Sequence, residues 1–155
     1  MTALSACPKK DDSKNEEANN AGVYKSFDGG ASWQAKNTID DSHSLSSVDV
    51  KDIAIDSSNP DILYLATSEF GVFKTINGGE AWSQLSLNYG VVQAVVVDPR
   101  ATNIVYAGGL FGEYGKIFKS QDSGENWEEV YVETVKNRVI KDVIVDSYDT
   151  RKIYA

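Results

Sequence analysis

The sequence predicts an all-β fold made of repeated four-stranded antiparallel units. Two observations favour it: from residue 22 onward short β-type runs alternate with turn clusters and no window has helical periodicity, and one eight-residue motif occurs three times. Aligned on Trp33, Trp82 and Trp127, the copies lie 49 (82 − 33) and 45 (127 − 82) residues apart, a period typical of repeat architectures. A catalytic residue is rarely needed three times, so the motif belongs to a repeating unit.

Each complete unit contains four predicted strands. In the first complete unit they cover 50–56, 62–68, 71–76 and 80–86, and in the next they cover 92–98, 103–109, 116–121 and 125–132. The first strand of each unit ends in an aspartate, and a tyrosine follows eight residues later in the second strand. These pairs are Asp56 and Tyr64, Asp98 and Tyr106, and Asp146 and Tyr154.

Four antiparallel strands in each period of about 40 to 50 residues describe the blade of a β-propeller, in which blades pack face to face around a channel. The chain would hold a half-blade over 22–37, whole blades over 50–86 and 92–132, and a second half-blade over 139–155. Joining the half-blades gives three blades, fewer than the roughly 4 to 8 of closed propellers. We therefore expect a propeller fragment from the N-terminal part of a longer protein, or a ring completed by two or more chains. Open blade edges predict self-association in both cases.

The repeated octets are SFDGGASW (26–33, box 1), TINGGEAW (75–82, box 2) and SQDSGENW (120–127, box 3). Their shared pattern, S/T-x-D/N-x-G-x-x-W, resembles the Asp-box, the bacterial neuraminidase repeat. This repeat is found in sialidases, sortilin-type receptors, xyloglucanase-like glycosidases and Ycf48-like photosystem II assembly factors. The resemblance covers residues 22–155 and implies a β-propeller whose boxes lie between third and fourth strands, away from the usual binding face.

The residue types within the octet favour a structural turn. Its hydroxyl and its Asp or Asn side chain can bind backbone N–H groups, the glycine at its fifth position fits a positive φ, and its tryptophan supplies apolar area to the blade core. The alternative is a Ca²⁺ loop or a carboxylate pair, but Asn77 lacks a charge that a metal site would need. We expect no metal and no cofactor. The structural residues are Ser26, Asp28, Gly30, Trp33, Thr75, Asn77, Gly79, Trp82, Ser120, Asp122, Gly124 and Trp127.

The candidate binding residues lie on the opposite face, which is formed by second-to-third-strand loops and by the links between blades. Function concentrates on loops of a rigid scaffold, and these loops cover 37–49, 67–71, 86–91, 108–115 and 132–138. Loop 108–115 (GGLFGEYG) combines aromatic rings, a carboxylate and glycines, which suits sugar recognition, although it could instead pack against a neighbouring blade. The candidates are Phe111, Glu113, Tyr114, Glu69, Phe70, Asp41, His43 and Tyr89.

Composition excludes several classes of function. The net charge is −8, from 15 basic and 23 acidic residues, and no basic stripe interrupts the repeats, so we expect no nucleic-acid partner. One cysteine and one histidine allow neither an internal disulfide nor a Cys/His metal site. No run of 18 apolar residues exists to form a membrane-spanning helix.

Residues 1–21 predict a truncated lipoprotein signal remnant followed by a tether. LSAC (4–7) resembles the lipobox of bacterial lipoproteins, in which the cysteine, here Cys7, is lipidated, and the charged segment 8–20 is typical of disordered chain. Only Met1, Thr2 and Ala3 precede the box, far fewer residues than a signal peptide needs. Either the true start lies upstream or Cys7 is an incidental thiol. The lipoprotein interpretation places the protein in the bacterial cell envelope, at the periplasmic or outer surface, with membrane contact only through the lipid anchor.

Two functions follow from these features. The favoured one is a non-catalytic, surface-anchored propeller that binds a protein or glycan, or acts in assembly, through its loop face. The alternative is a fragment of a xyloglucanase-like or sialidase-like glycoside hydrolase whose catalytic residues lie partly in missing blades. A glycosidase needs two carboxyls, for which Asp40 or Asp41 with Glu113 would be the pair, and a sialidase also needs an arginine cluster. Arg100 and Arg151 fall in first-to-second-strand turns on the opposite face, so we assign no catalytic residue.

Overall fold

The computed structural model describes residues 22–155, which form strands and a single 3-10 turn, Leu45–Ser47. Cys7 and the predicted tether lie outside these residues. The strands are β1 (Tyr24–Lys25), β2 (Gln34–Ala35), β3 (Val50–Ile55), β4 (Leu63–Thr67), β5 (Val72–Thr75), β6 (Ser83–Gln84), β7 (Val91–Val97), β8 (Val105–Phe111), β9 (Tyr114–Ser120), β10 (Glu128–Val132), β11 (Ile144–Val145) and β12 (Ile153–Tyr154). No helix capable of spanning a bilayer occurs within the described part.

The strands form two four-stranded sheets and two strand pairs. Strands β3-β4-β5-β6 and β7-β8-β9-β10 follow one another in chain order as antiparallel neighbours, while β1-β2 and β11-β12 form separate pairs. Each four-stranded sheet is thus an up-and-down blade. The β1-β2 pair corresponds to the third and fourth, outer strands of a blade, and the β11-β12 pair corresponds to the first and second, inner strands. The predicted all-β fold, with about two whole blades and two half-blades, is confirmed.

The aspartate at the end of each first strand closes the turn to the second strand. The Oδ1 atom of Asp56 accepts the N–H groups of Ser58 at 2.7 Å and Asn59 at 3.2 Å. Asp98 and Asp146 make the same two bonds with the residues two and three positions ahead. These Asx turns satisfy backbone donors as the chain reverses, so the recurring aspartates are structural residues.

The hydrophobic core consists of three clusters, one at each junction between consecutive sheets. The largest lies between the two whole blades and includes Tyr64, Val95 and Val97. A second cluster joins the first half-blade and its link to β3–β6 through Leu45, Phe73 and Trp82. The third, around Tyr106 and Val143, joins β7–β10 to the second half-blade. The strands therefore bury apolar side chains between stacked sheets, as face-to-face blade packing requires.

Polar contacts repeat at successive blade junctions. The Nζ atom of Lys25 donates to the carbonyl oxygen of Gly78 in box 2 at 3.1 Å, and Lys74 donates in the same way to Ser123 in box 3 at 3.0 Å. The lysines that precede boxes 1 and 2 thus bind the box turn of the following blade. This repeated offset helps to fix the register between neighbouring sheets.

The links between blades lie directly on strand backbone at glycine positions. A side chain at Gly71 would collide with the carbonyl oxygen of Leu87, which accepts the N–H of Val72 at 2.9 Å. A side chain at Gly115 would likewise collide with the carbonyl oxygen of Arg138. Glycine is therefore needed because the crossing chain approaches so closely.

Segment 108–115 corrects one prediction. Residues 105–111 and 114–120 form strands β8 and β9, joined by a two-residue turn at 112–113, so most of the predicted loop is sheet. The glycines lie within the strand because a side chain at Gly108 would meet Val143 and Ile140 of the following segment. In addition, β6 covers only Ser83–Gln84, a much shorter fourth strand than the predicted 80–86.

Candidate functional site

The three boxes form the same hydrogen-bonded turn between the third and fourth strands. The hydroxyl oxygen accepts the N–H of the glycine at the fifth position of the octet at 2.7, 3.1 and 2.8 Å in boxes 1, 2 and 3. That hydroxyl bonds to Oδ1 of the Asp or Asn at 2.7 to 2.8 Å. The same Oδ1 accepts an N–H four residues ahead at 2.9 to 3.0 Å, from Ser32, Ala81 and Asn126. Gly30, Gly79 and Gly124 have φ values of 96°, 93° and 94°.

The carboxylates of boxes 1 and 3 accept hydrogen bonds from residues of their own turns. Hydrogen bonds, above all from the Ser32 side chain, lower the pKa of Asp28 to about 2. Those from Asn126 likewise lower the pKa of Asp122 to about 2. The charged form is favoured because it accepts these bonds. Among residues 22–155, no group of three or more His, Cys, Asp or Glu side chains is placed to hold a metal ion.

The tryptophans of the boxes differ in burial. Trp82 is 1% exposed and donates its indole N–H to the carbonyl oxygen of Lys36 in the preceding half-blade at 2.7 Å. Trp127 is half-buried and donates to Gly124 within its own turn at 2.9 Å. Trp33 is 63% exposed, so the expectation that every box tryptophan supplies core area is wrong for box 1. Within residues 22–155 no strand precedes β1 to cover Trp33.

The loop face, opposite the boxes, carries a groove between the link 37–49 and the 68–71 turn. Its volume is about 570 Å³, and buried Val48 and Phe73 form part of its lining. Phe70, which is 44% exposed, and half-buried Ile39 add apolar surface. Polar groups come from His43, three serines and Gln84, whose side-chain N–H₂ donates to the carbonyl oxygen of Phe70 at 2.8 Å. This loop-face groove brings together the sequence candidates His43 and Phe70.

His43 is held by Asp40 at the edge of this groove. The Nδ1 atom of His43 lies 2.8 Å from a carboxylate oxygen of Asp40, which also accepts the backbone N–H of Ser42 at 2.8 Å. The Ser42 N–H and the His43 side chain lower the pKa of Asp40. Asp41 lines an adjoining depression of about 460 Å³. Glu69 is exposed near the tip of the 68–71 turn and does not line the groove.

A second group of candidates surrounds the β8–β9 turn. The carboxylate of Glu113 pairs with Lys136 at 2.6 Å, and the Lys136 ammonium lies 6.0 Å from the centre of the Tyr114 ring. Both charged side chains are exposed, so solvent weakens their attraction. Tyr89, with half its surface exposed, packs edge-on against Phe111 at 5.6 Å. We call Tyr89, Glu113, Tyr114 and Lys136 the tyrosine patch.

Phe111 does not present its ring to this patch. It is 4% exposed and contacts Phe118 edge-on at a centroid distance of 4.7 Å. Because Phe111 lies within β8 rather than in a loop, its side chain enters the largest core cluster. Phe111 is therefore a core residue and not a binding residue, which corrects the prediction. Its ring packs against the ring of Tyr89.

Sequence reasoning missed several residues of the loop face. The sequence predicts Phe73 and Gln84 as strand residues, which is confirmed, but both also border the loop-face groove. The pattern could not place them there because three separate segments form the groove. Lys136 lies in the predicted loop 132–138, but nothing in the sequence pairs it with Glu113, which is 23 residues away.

The stacked antiparallel sheets and the three Asp-box turns define the chain as an Asp-box β-propeller. The chain belongs to the family described as photosynthesis system II assembly factor YCF48, whose model matches residues 18–149.

Similar proteins include both enzymes and assembly factors. An oligoxyloglucan-reducing end-specific xyloglucanase from Emericella nidulans is 32% identical over 87 residues, covering 50% of this chain and 10% of the enzyme. An ancestral GH74 enzyme superposes with a TM-score of 0.69 at 22% identity, over 88% of this chain and 19% of its own. YCF48 bound to D1 peptide gives a TM-score of 0.51 at 21% identity, over 70% of this chain and 35% of its own. The chain spans about a third or less of each protein, and the two structural likenesses show the fold.

Proposed function

We propose that this chain is part of a non-catalytic module of the assembly-factor type, which binds an extended segment of a partner protein on its loop face. The family supports this function, as does the peptide complex of the structurally similar YCF48. The observation that carries the proposal is the loop-face groove, because it combines apolar surface with hydrogen-bonding side chains.

The groove has the size and chemistry that a short peptide segment needs. Its volume of about 570 Å³ lies in the usual range of ligand pockets, about 300 to 1,000 Å³. Phe70 and Phe73 would accept an apolar side chain of the partner, whereas Gln84 and the serines of the link would meet its backbone. An extended peptide gains affinity from such main-chain bonds and specificity from side-chain pockets.

Replacement of Phe70 tests this function. A library of ten-residue peptides is screened against the purified chain, and a selected peptide is titrated by fluorescence polarisation. Phe70→Ala should weaken binding at least about tenfold, because a half-exposed aromatic anchor would be lost. Ile76→Ala provides the matched control, since Ile76 is a more exposed apolar residue at the box end of the same blade. Equal losses in the two variants, or no loss in Phe70→Ala, would count against the groove.

The relationship to the xyloglucanase makes glycoside hydrolysis the second candidate. A glycosidase needs a general acid with a raised pKa, whereas hydrogen bonds lower the pKa of Asp40, and Glu113 is paired with Lys136. We expect no release of sugar from xyloglucan oligosaccharides or aryl glycosides. Turnover that is abolished by Glu113→Gln would favour the enzyme over the binding module.

Anchoring at the cell envelope is a separate proposal that rests on the lipobox-like LSAC segment. The gene is expressed from an upstream start that supplies a signal peptide, and the membrane fraction is examined by mass spectrometry. A diacylglyceryl group on Cys7, absent from Cys7→Ser, is expected. An unmodified Cys7 thiol would contradict the lipid anchor without affecting the proposed peptide groove.

A further inference from the structure

The links that lead into the two whole blades enter their first strands in the same register. Val50 of β3 and Val92 of β7 occupy the same position, because a register shift in the strand pairing directly follows each of them. Ser47 lies three residues before Val50, and Tyr89 lies three residues before Val92. Ser47 in the first link is therefore the counterpart of Tyr89 in the second link.

The core side chains around these two positions also correspond. Two residues before them, Leu45 and Leu87 are both buried. Nine residues before the tryptophans of boxes 2 and 3, Phe73 and Phe118 are likewise both buried, and each belongs to the same cluster as the leucine of its link. The two links thus pack on their blades in one common arrangement.

The second link shows which side chain this arrangement accommodates. The ring of Tyr89 packs edge-on against Phe118 at a centroid distance of 6.4 Å and against Phe111 at 5.6 Å. Aromatic rings favour this edge-to-face geometry. The depression that remains beside Tyr89 and Phe118 has a volume of about 250 Å³. An aromatic ring from the second link therefore occupies part of the space above its phenylalanine.

The first link has no such ring, and the loop-face groove lies in the corresponding place. Ser47 and Phe73 both line this groove, whose volume of about 570 Å³ is more than twice that of the depression beside Tyr89. Phe70 supplies a second aromatic side chain to the lining. The groove thus offers a partner's aromatic ring the kind of contact that Tyr89 makes within the second link.

The depression that adjoins the groove is acidic. It shares its border with the groove along residues 42–44, and the carboxylates of Asp40 and Asp41 lie in its lining. Among the residues that line it, no lysine or arginine balances these two charges. His43 contacts Asp40, whereas Asp41 is exposed. Charge complementarity therefore favours a basic side chain of the partner here, and the net charge of −8 on the chain favours it further.

We propose that the loop-face groove recognises an extended peptide segment with an aromatic residue and, within about three positions of it, a lysine or arginine. The aromatic ring packs against Phe70 and Phe73, as Tyr89 packs in the second link, and the basic side chain reaches Asp40 and Asp41. Three residues of extended chain span about 10 Å, so one short segment covers both adjoining depressions. This recognition rests on the proposed function, because it specifies the partner segment that the groove binds.

Peptide selection tests the recognised sequence. Ten-residue peptides selected from the library with the purified chain should be enriched in pairs of one aromatic and one basic residue. In the strongest selected peptide, replacing the aromatic residue by alanine should weaken binding at least about tenfold in fluorescence polarisation. Replacing the basic residue by glutamate should weaken it about fivefold, because exposed charge pairs contribute less than a buried ring.

The variant Ser47→Tyr tests the position of the ring from the protein side. Its new side chain should occupy the groove as Tyr89 occupies the second link, and it should weaken the selected peptide at least about tenfold. Ala81→Tyr is the matched control, since it adds the same ring at an exposed box residue on the opposite face. Circular dichroism checks that both variants keep their strands.

A charge reversal tests the basic residue. Asp41→Lys should weaken the selected peptide about fivefold, and the peptide that carries glutamate should bind Asp41→Lys more tightly than it binds the wild-type chain. Glu125→Lys makes the same change in charge at an exposed residue of box 3 and should leave both affinities within about twofold.

These measurements separate the sequence preference from the proposed function. Selected peptides that lose affinity in Phe70→Ala but contain no aromatic and basic pair would support the peptide groove and overturn the preference. Equal binding by Ser47→Tyr and Ala81→Tyr, or by Asp41→Lys and Glu125→Lys, would also overturn it. A library without any peptide that is sensitive to Phe70→Ala would overturn both proposals.

Discussion

Boxes 1 and 2 have the same internal hydrogen bonds but opposite tryptophan environments. In both turns a hydroxyl, a side-chain oxygen and a glycine close the loop with nearly equal distances. Trp33 of box 1 is nevertheless 63% exposed, whereas Trp82 of box 2 is 1% exposed. The octet therefore forms its turn without help from other sheets, while the tryptophan contributes to stability only where a preceding sheet covers it.

The preceding sheet contributes through specific atoms. The carbonyl oxygen of Lys36 accepts the Trp82 indole N–H at 2.7 Å, and the Lys36 ammonium pairs with Glu80 at 2.5 Å. Lys36 is the third residue after Trp33, so the end of one box supports the next. Stability in this repeat is thus a property of neighbouring blades, as in other repeat proteins.

Replacing each tryptophan should give the largest difference between the boxes. Trp82→Ala should lower the free energy of unfolding by about 3 to 5 kcal/mol, because it leaves a cavity in a core cluster. Trp33→Ala should change it by less than about 0.5 kcal/mol, as expected for an exposed side chain. Urea unfolding followed by far-UV circular dichroism measures both values. Similar losses would mean that Trp33 is covered in solution, and they would contradict the comparison.

The box glycines should show a smaller difference. Gly30→Ala and Gly79→Ala both place a side chain at a positive φ, which costs about 1 to 3 kcal/mol. At Gly79 the new methyl group would also lie 3.3 Å from the Cβ of Lys36, whereas at Gly30 its nearest neighbour is Trp33 at 3.8 Å. Gly79→Ala should therefore destabilise the chain by about 1 kcal/mol more than Gly30→Ala in the same urea experiment. Equal costs would show that Lys36 moves aside freely.

Acid titration should give the smallest effect. The pKa of Asp28 is lowered from 3.8 to about 2, so its stabilising contribution is present above about pH 4 and is lost as the pH falls through about 2. The amide proton of Ser32, which binds Asp28 Oδ1, should shift with a midpoint of about 2 in NMR spectra. The amide of Ala81 binds the neutral Asn77 and should show no such step.

The variant Asn77→Asp provides the matched control for this titration. It should give Ala81 the acid step that Ser32 has, because a carboxylate would then accept both the Thr75 hydroxyl and the Ala81 N–H. A midpoint near 3.8 for Ser32 would indicate that the hydrogen bonds to Asp28 do not persist in solution.

The sheets could be predicted from sequence because their signals are local. Period-two alternation, the aspartates that end first strands and the octets each specify structure within a few residues. The loop face is harder to predict from sequence. Phe73 and Gln84 line the groove only because the link 37–49, which is distant in the sequence, lies next to them. The sequence predicts a loop at 108–115 because its glycines signal a loop locally, yet Gly108 lies in a strand and makes room for the side chains of Val143 and Ile140. The exposure of Trp33 likewise depends on a neighbouring sheet rather than on its own octet.

The glycines beneath the links determine how the loop face responds to proteases. Residues 87 and 138 lie against Gly71 and Gly115, where a side chain would not fit. The Leu87 carbonyl is fixed by the N–H of Val72, and Leu87 itself is 2% exposed. A protease requires an extended segment that can leave the surface, so these links should resist cleavage although they contain no regular secondary structure. In Gly71→Ala the new side chain would displace the link at Leu87, which should then become a cleavage site between the two whole blades.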